Sequence, residues 1–184
     1  MDLEEQNTYE NPVKIFIRDI HKLKRNENDT NYYHFYDKLI RKVDILGVVT
    51  EVRKMNDFYL YRVDDCTGEI LCRYNHFSEK NLQEVQETEQ LEELVAAKNF
   101  QQATESGAAM ESILGVIFKK SKLQTSPLEQ GECAHVQGFI SDFFGTREIW
   151  AFSLYKVLSS AHEVDRVFEL SALYSNVYSR LDGV

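Results

Sequence analysis

The residues of this chain whose types suit covalent chemistry are few. Asp64-Asp65 is the paired-carboxylate candidate, and to ligate a metal or act as an acid–base pair its two carboxyls would have to converge. Adjacent residues of a strand point to opposite faces, so they do not converge. An Asp ahead of Thr67-Gly68 bonds the backbone of its own turn instead. His21, His34, His76, His135 and His162 show no metal-ligand spacing and read as surface or packed imidazoles. Cys66, Cys72 and Cys133 cannot all pair with one another and read as reduced thiols. No Walker, Rossmann, HExxH or CxxC pattern occurs. The chain is therefore expected to be no enzyme, with no catalytic residue, metal or cofactor.

What remains is the chemistry of binding. Flat aromatic rings stack on bases, and Lys or Arg meets phosphates. Arg62, Arg73, Tyr74 and Phe77 lie on or just after a run of β-type residues, and Phe143, Phe144 and Arg147 surround a later turn. Each aromatic has core packing as its alternative, and each arginine a solvated surface. As a set they predict a modest, salt-sensitive groove. A second binding signal closes the chain. Val164, Val167, Phe168, Leu170, Leu173, Tyr174, Val177, Tyr178 and Leu181 recur at helical spacing, a wide apolar stripe that predicts a partner surface.

These groups need a scaffold. The chain has 184 residues, 43% of them apolar, enough for one domain with a real core. Its longest apolar runs are far short of a membrane span, and the opening Asp2, Glu4 and Glu5 predict no secretory leader. Net charge is −9, but the acidity clusters: residues 1–10 hold four acids and no Lys or Arg, and 77–106 hold seven acids against two bases. The folded part is left near neutral. Residues 1–12 are expected to be an acidic tail, and 77–106 a solvated, partly ordered acidic loop, with a weak helix carried by Leu82, Val85, Leu91, Leu94 and Val95 as the alternative.

Alternating or β-branched runs predict strands over 13–20, 43–54, 58–64, 69–76, 133–141 and 147–157, with a polar loop over 24–31. Gly47 and Gly138 sit inside two of them, where a sheet bends sharply. Met110, Ile113, Leu114, Ile117 and Phe118 predict a helix over 107–122, and Ser160 to Glu163 fit a capping box opening a terminal helix. Three meander strands, a helix, two strands and a last helix match a mainly β fold. Their order predicts the five-stranded OB-fold Greek-key barrel, with a helix between strands three and four and a C-terminal amphipathic helix, and leaves a small α+β sandwich as the rival. The barrel domain is placed at 13–158 and the partner-binding helix at 159–184.

Several stretches carry a resemblance. They are Ile15–Ile20 (IFIRDI), Val43–Arg53 (VDILGVVTEVR), Phe58–Gly68 (FYLYRVDDCTG) running on to Cys72, Gly138 with Arg147–Val157 (REIWAFSLYKV), and Leu170–Tyr178 (LSALYSNVY). In this order and spacing the sequence resembles the Stn-type OB subunit of the telomere-capping CST complex and, more distantly, the middle subunit of replication protein A. The resemblance implies heterodimerisation with a small Ten-type OB subunit and a place beside a large CST-type subunit. It further implies contact with single-stranded telomeric DNA, assistance to DNA polymerase alpha–primase, and a nuclear, telomeric location, without catalysis. The alternative it leaves is a general subunit like that of replication protein A, with no telomere preference. Where many relatives carry a Trp late in strand three this chain has Asn75, and a family basic position after strand four is Ser141. Both departures imply weak autonomous DNA affinity.

Overall fold

Period-two burial runs through five long strands and closes them into a barrel. The computed structural model describes residues 8–97, 113–118 and 126–178. The N-terminal segment holds β1 (Thr8–Tyr9), β2 (Val13–Lys14), the single helical turn α1 (Ile17–Ile20), β3 (Lys24–Arg25), β4 (Tyr33–Phe35) and β5 (Lys38–Ile40). Then come β6 (Lys42–Lys54), β7 (Tyr59–Asp64), β8 (Glu69–Tyr74), α2 (Glu79–Ala97), helical residues 113–118 (α3), β9 (Cys133–Phe143), β10 (Thr146–Lys156) and α4 (Ser160–Leu173). α4 runs on into a π-helical turn, Tyr174–Tyr178.

β6, β7, β8, β10 and β9 are neighbours in that order, and β9 returns to pair with β6. The β8–β10 pairing is parallel and the other four are antiparallel. This is the closed OB barrel. Its interior is filled by Val43, Ile45 and Val49 of β6, Tyr61 and Val63 of β7, Ile70 and Cys72 of β8, Val136 of β9, and Ile149 and Leu154 of β10. Leu128 is buried as well, and its N–H donates to the Tyr61 hydroxyl at 3.3 Å. Strands can cross closely at two places only because a side chain is missing. A Cβ at Gly47 would sit 2.5 Å from the Asp64 carbonyl oxygen, and one at Gly138 would sit 2.6 Å from that of Trp150. Register shifts between Val49 and Glu51 and between Ala151 and Ser153 add the bends that closure needs.

Three expectations need correction. Residues 13–20 are not one strand: β2 ends at Lys14 and Ile17–Ile20 make a helical turn. Ile17 and Ile20 are both fully buried, and a spacing of three puts them on one face of a helical turn but on opposite faces of a strand. The polar loop at 24–31 begins with β3, which pairs with β4 in a small sheet of order β1-β5-β4-β3. Residues 79–97 of the expected acidic loop are helix α2. The Glu, Gln, Leu and Ala that depress hydrophobicity there are strong helix formers. In the predicted helix 107–122, residues 113–118 are helical, and its remaining residues lie outside the described ones.

The chain divides into two units, 1–74 with 128–184, and 75–127. The first holds the barrel, the small sheet and α4. The second holds α2 and α3, and Asn81 N donates to Ser78 Oγ as α2 begins.

Candidate nucleic-acid and partner interfaces

Since Cys72 and Tyr74 point into the barrel, Arg73 between them points out. The register then fixes its company. Leu60 and Trp150 are its cross-strand partners, Phe139 is that of Trp150, and Lys42 that of Phe139. One outer row thus crosses all five strands.

At its centre the Arg73 guanidinium lies 4.5 Å from the Phe58 ring, 5.2 Å from Trp150 and 5.8 Å from Phe143. Glu148 is buried beneath, 3.7 Å from Arg73 Nη2, and accepts from Trp150 Nε1 at 2.7 Å. The acid holds both side chains in place while half the indole stays exposed. Arg73 Nε is buried and has no hydrogen-bond partner among the described residues. Further along the row, the Arg41 guanidinium lies 4.7 Å from the Phe139 ring.

The β9–β10 turn adds a second feature. Phe144 and Gly145 both have positive φ, 48° and 78°, the geometry of a two-residue type I′ hairpin. Asn or Gly usually fills its first central position. Here a Phe does, at a backbone cost of about 1 kcal/mol. Its ring is 95% exposed and touches Phe143 edge-on at 4.8 Å.

The candidates chosen from sequence are scattered by the fold. Arg73 and Phe143 meet in the cluster. Tyr74 is buried in the core. Arg62 is tied to Glu51 at 3.1 Å and to Glu69 at 3.8 Å. Hydrogen bonds from Arg53 and Arg62 hold the Glu51 carboxyl below its ordinary range. Arg147 is held by Asp142 at 3.1 Å and by the Leu23 carbonyl at 3.0 Å. Phe77 is half exposed and belongs to the second unit. Sequence reasoning missed Phe58, Phe139 and Trp150. Alternation held the signal for the last: if Ile149 is buried, Trp150 faces outward.

The terminal helix has two faces. Ser159, one residue before the expected cap, accepts from Ala161 N at 3.3 Å and starts α4. On the inner face Leu170 and Tyr178 are buried, and Leu173 and Tyr174 pack against the barrel core. Each tyrosine hydroxyl has a polar seat. That of Tyr178 donates to the Lys14 carbonyl at 3.0 Å, and that of Tyr174 donates to Asp19 at 2.8 Å and accepts from Phe16 N at 3.2 Å. Arg166, buried on the same face, pairs with Asp44 of β6, which also takes hydrogen bonds from His135 at 2.8 Å and Gln137 at 2.7 Å. Burial disfavours the Asp44 charge, but His135, Gln137 and Arg166 outweigh it and hold the carboxyl below its ordinary range. On the outer face Val164, Val167, Phe168 and Val177 are exposed, Phe168 by 70%. Leu181 lies outside the described residues.

The Asp64-Asp65-Cys66-Thr67-Gly68 turn does the structural work assigned to it and more. Asp64 accepts from Cys66 N at 2.7 Å, and Asp65 Oδ1 from Thr67 N at 2.9 Å. Asp65 Oδ2 reaches across to Ile17 N at 2.8 Å, and Thr67 Oγ1 accepts from Arg18 N at 3.2 Å. The turn thus satisfies the first amides of α1. α1 in turn supplies the Asp19 that holds Tyr174. Three stretches far apart in sequence form one interlocked device.

The fold recurs in known proteins. No protein-family model matches the chain. It is 34% identical over 173 residues to the CST complex subunit STN1 of Bos taurus, an alignment covering 91% of this chain and 42% of that protein. In sequence and fold the chain is similar to the Stn-type subunits. It spans less than half the length of the curated relatives it matches. Among solved structures, that of the S. pombe Stn1–Ten1 complex superimposes with a TM-score of 0.59 at 16% identity, covering 93% of this chain and 95% of that one. A replication protein A heterotrimer bound to single-stranded DNA gives a TM-score of 0.57 at 14% identity, covering 91% and 98%. The OB fold read from the order of elements is the fold that these structures share.

Proposed function

We propose that this chain is the OB-fold subunit of a telomere-capping, single-strand-binding assembly in the nucleus. It pairs with a small Ten-type OB subunit, sits beside a large CST-type subunit, and supports the fill-in synthesis of DNA polymerase alpha–primase without catalysing a reaction itself. The observation that carries the reading is the outer face of α4. A helix already anchored on one side still presents Val164, Val167 and Phe168 to solvent, a surface for another apolar helix or sheet. The similarity to STN1 and to a Stn1–Ten1 structure supports a Ten-type occupant.

Single-stranded DNA is the second ligand in this reading, taken over the Arg73–Trp150 row. Aromatic planes for bases, with Lys42 and Arg73 for phosphates, suit it. The same surface favours, as a second reading, a general subunit like that of replication protein A. Val167→Asp tests the first ligand: it should abolish co-purification with a Ten-type subunit while the chain stays folded. Unchanged co-purification sinks the assembly role. Competition between telomeric and random single strands for the assembled complex separates the two readings, since only the first predicts a preference.

A further inference from the structure

The barrel surface leaves unused the most basic stretch of the sequence. Residues 18–25 hold Arg18, Lys22, Lys24 and Arg25 against one acid, Asp19, in a chain of net charge −9. α1 and β3 bring part of this stretch to the rim of a wide-mouthed cavity of about 300 Å³, lined in part by Lys22, Lys24, His34 and Tyr36. Lys24 and His34 are direct cross-strand partners in the β3–β4 pair, and both are exposed. Their side chains therefore leave the hairpin on the same face, an ammonium beside an imidazole. Asp19, the acid of the lining, is already engaged: Oδ1 accepts from Lys22 Nζ at 3.2 Å and Oδ2 from the Tyr174 hydroxyl. Lys24 has no ion pair among the described residues.

The cavity is also joined to β10, the strand of Trp150. Tyr33, beside His34, has two guanidinium groups on its ring, Arg147 at 4.4 Å and Arg25 at 5.9 Å. Arg147 belongs to β10, three residues before Trp150, and donates to the carbonyl of Leu23, between Lys22 and Lys24. Its buried Nη1 has no partner among the described residues. Arg147 and Arg25 thus flank the Tyr33 side of the β3–β4 pair, and Leu23 of the cavity lining joins that side to β10 through Arg147.

We infer that this cavity is a phosphate subsite, holding a backbone phosphate of the same single strand whose bases stack on Arg73 and Trp150. The inference rests on the DNA-binding reading above. A lysine supplies the point charge, and an imidazole supplies an N–H donor in either protonation state. The open mouth lets a polymer pass, and the Arg147–Leu23 hydrogen bond, which ties the cavity lining to β10 three residues before Trp150, favours a nucleic-acid strand over an acidic peptide.

The test uses the full chain and oligothymidylates of increasing length, with binding followed by fluorescence anisotropy. Lys24→Glu combined with His34→Ala changes two exposed side chains, and an unchanged melting temperature confirms the fold. Affinity for long strands should fall roughly five- to ten-fold and the salt slope by about 1, with short strands unaffected. Trp150→Ala should weaken short and long strands alike. Equal loss of the double variant on all lengths, or no loss, overturns the subsite. A separate arm titrates inorganic phosphate and follows the His34 ring by NMR. A shift of His34 that Lys24→Glu removes supports anion capture, and no shift overturns it even if Trp150 matters. If wild-type chain binds no oligothymidylate while phosphate still moves His34, the DNA-binding reading has failed and the strand assignment falls with it. A polyglutamate peptide that competes with the same sensitivity to Lys24→Glu overturns the choice of nucleic acid.

Discussion

The inner and outer faces of α4 are built from similar apolar residues and behave oppositely. On the inner face every large side chain with a polar tip has a seat for it: Tyr178 at the Lys14 carbonyl, Tyr174 between Phe16 and Asp19, Arg166 on Asp44. On the outer face the side chains of Val164, Val167 and Phe168 carry no polar atom and meet no covering element among the described residues. A helix meant only to cap its own barrel would be polar outside. The difference teaches that hydrophobicity alone does not say which side of a helix is taken. The polar atoms interleaved with it do, because they demand specific partners and so fix the docking.

Each face can be broken separately. Tyr178→Ala removes a ring that packs against Phe35, Tyr36 and Tyr174. It should destabilise the chain by about 4 kcal/mol in denaturant unfolding; a loss under about 1 kcal/mol would mean that α4 is not docked as described. Arg166→Ala leaves Asp44 buried with half its support and should lose about 3 kcal/mol, toward the low end for a broken buried pair because His135 and Gln137 remain. The same carboxylate sets an acid limit. Its folded-state value lies below the ordinary 3.8, so its stabilisation is present above about that pH and is lost as pH falls through the depressed value. Asp44→Asn should flatten the acid limb of a stability–pH curve, and an unchanged limb would assign acid unfolding to other groups. Phe168→Asp, on the outer face, should shift stability by less than about 0.5 kcal/mol while lowering capture of a Ten-type subunit. A large loss of stability there would erase the contrast between the faces.

Much of the barrel was legible because its strands are long and its inward positions alternate. The runs at 43–54 and 147–157 differ from β6 and β10 by a single residue at each shifted end. Gly47 and Gly138 marked real close approaches. The small sheet of β1, β3, β4 and β5 was not legible, since two or three residues hold no measurable period. α2 stood only as the weaker alternative to a loop because Glu and Gln lower hydrophobicity while favouring helix. The site was half legible. Residue type singled out Arg73, Phe143, Arg62 and Arg147 alike, and only the fold shows that Arg73, above Glu148, lies among three aromatic rings while Arg62 and Arg147 are tied into ion pairs outside that row.

The Asp65–Thr67 turn, α1 and Tyr174 are linked in series, so the outward face of α4 exists in its final orientation only once β7 and β8 have joined correctly. A newly made chain whose barrel is open has no assembled surface to offer. In the pairing proposed above, recruitment of a second subunit then acts as an inspection of the first.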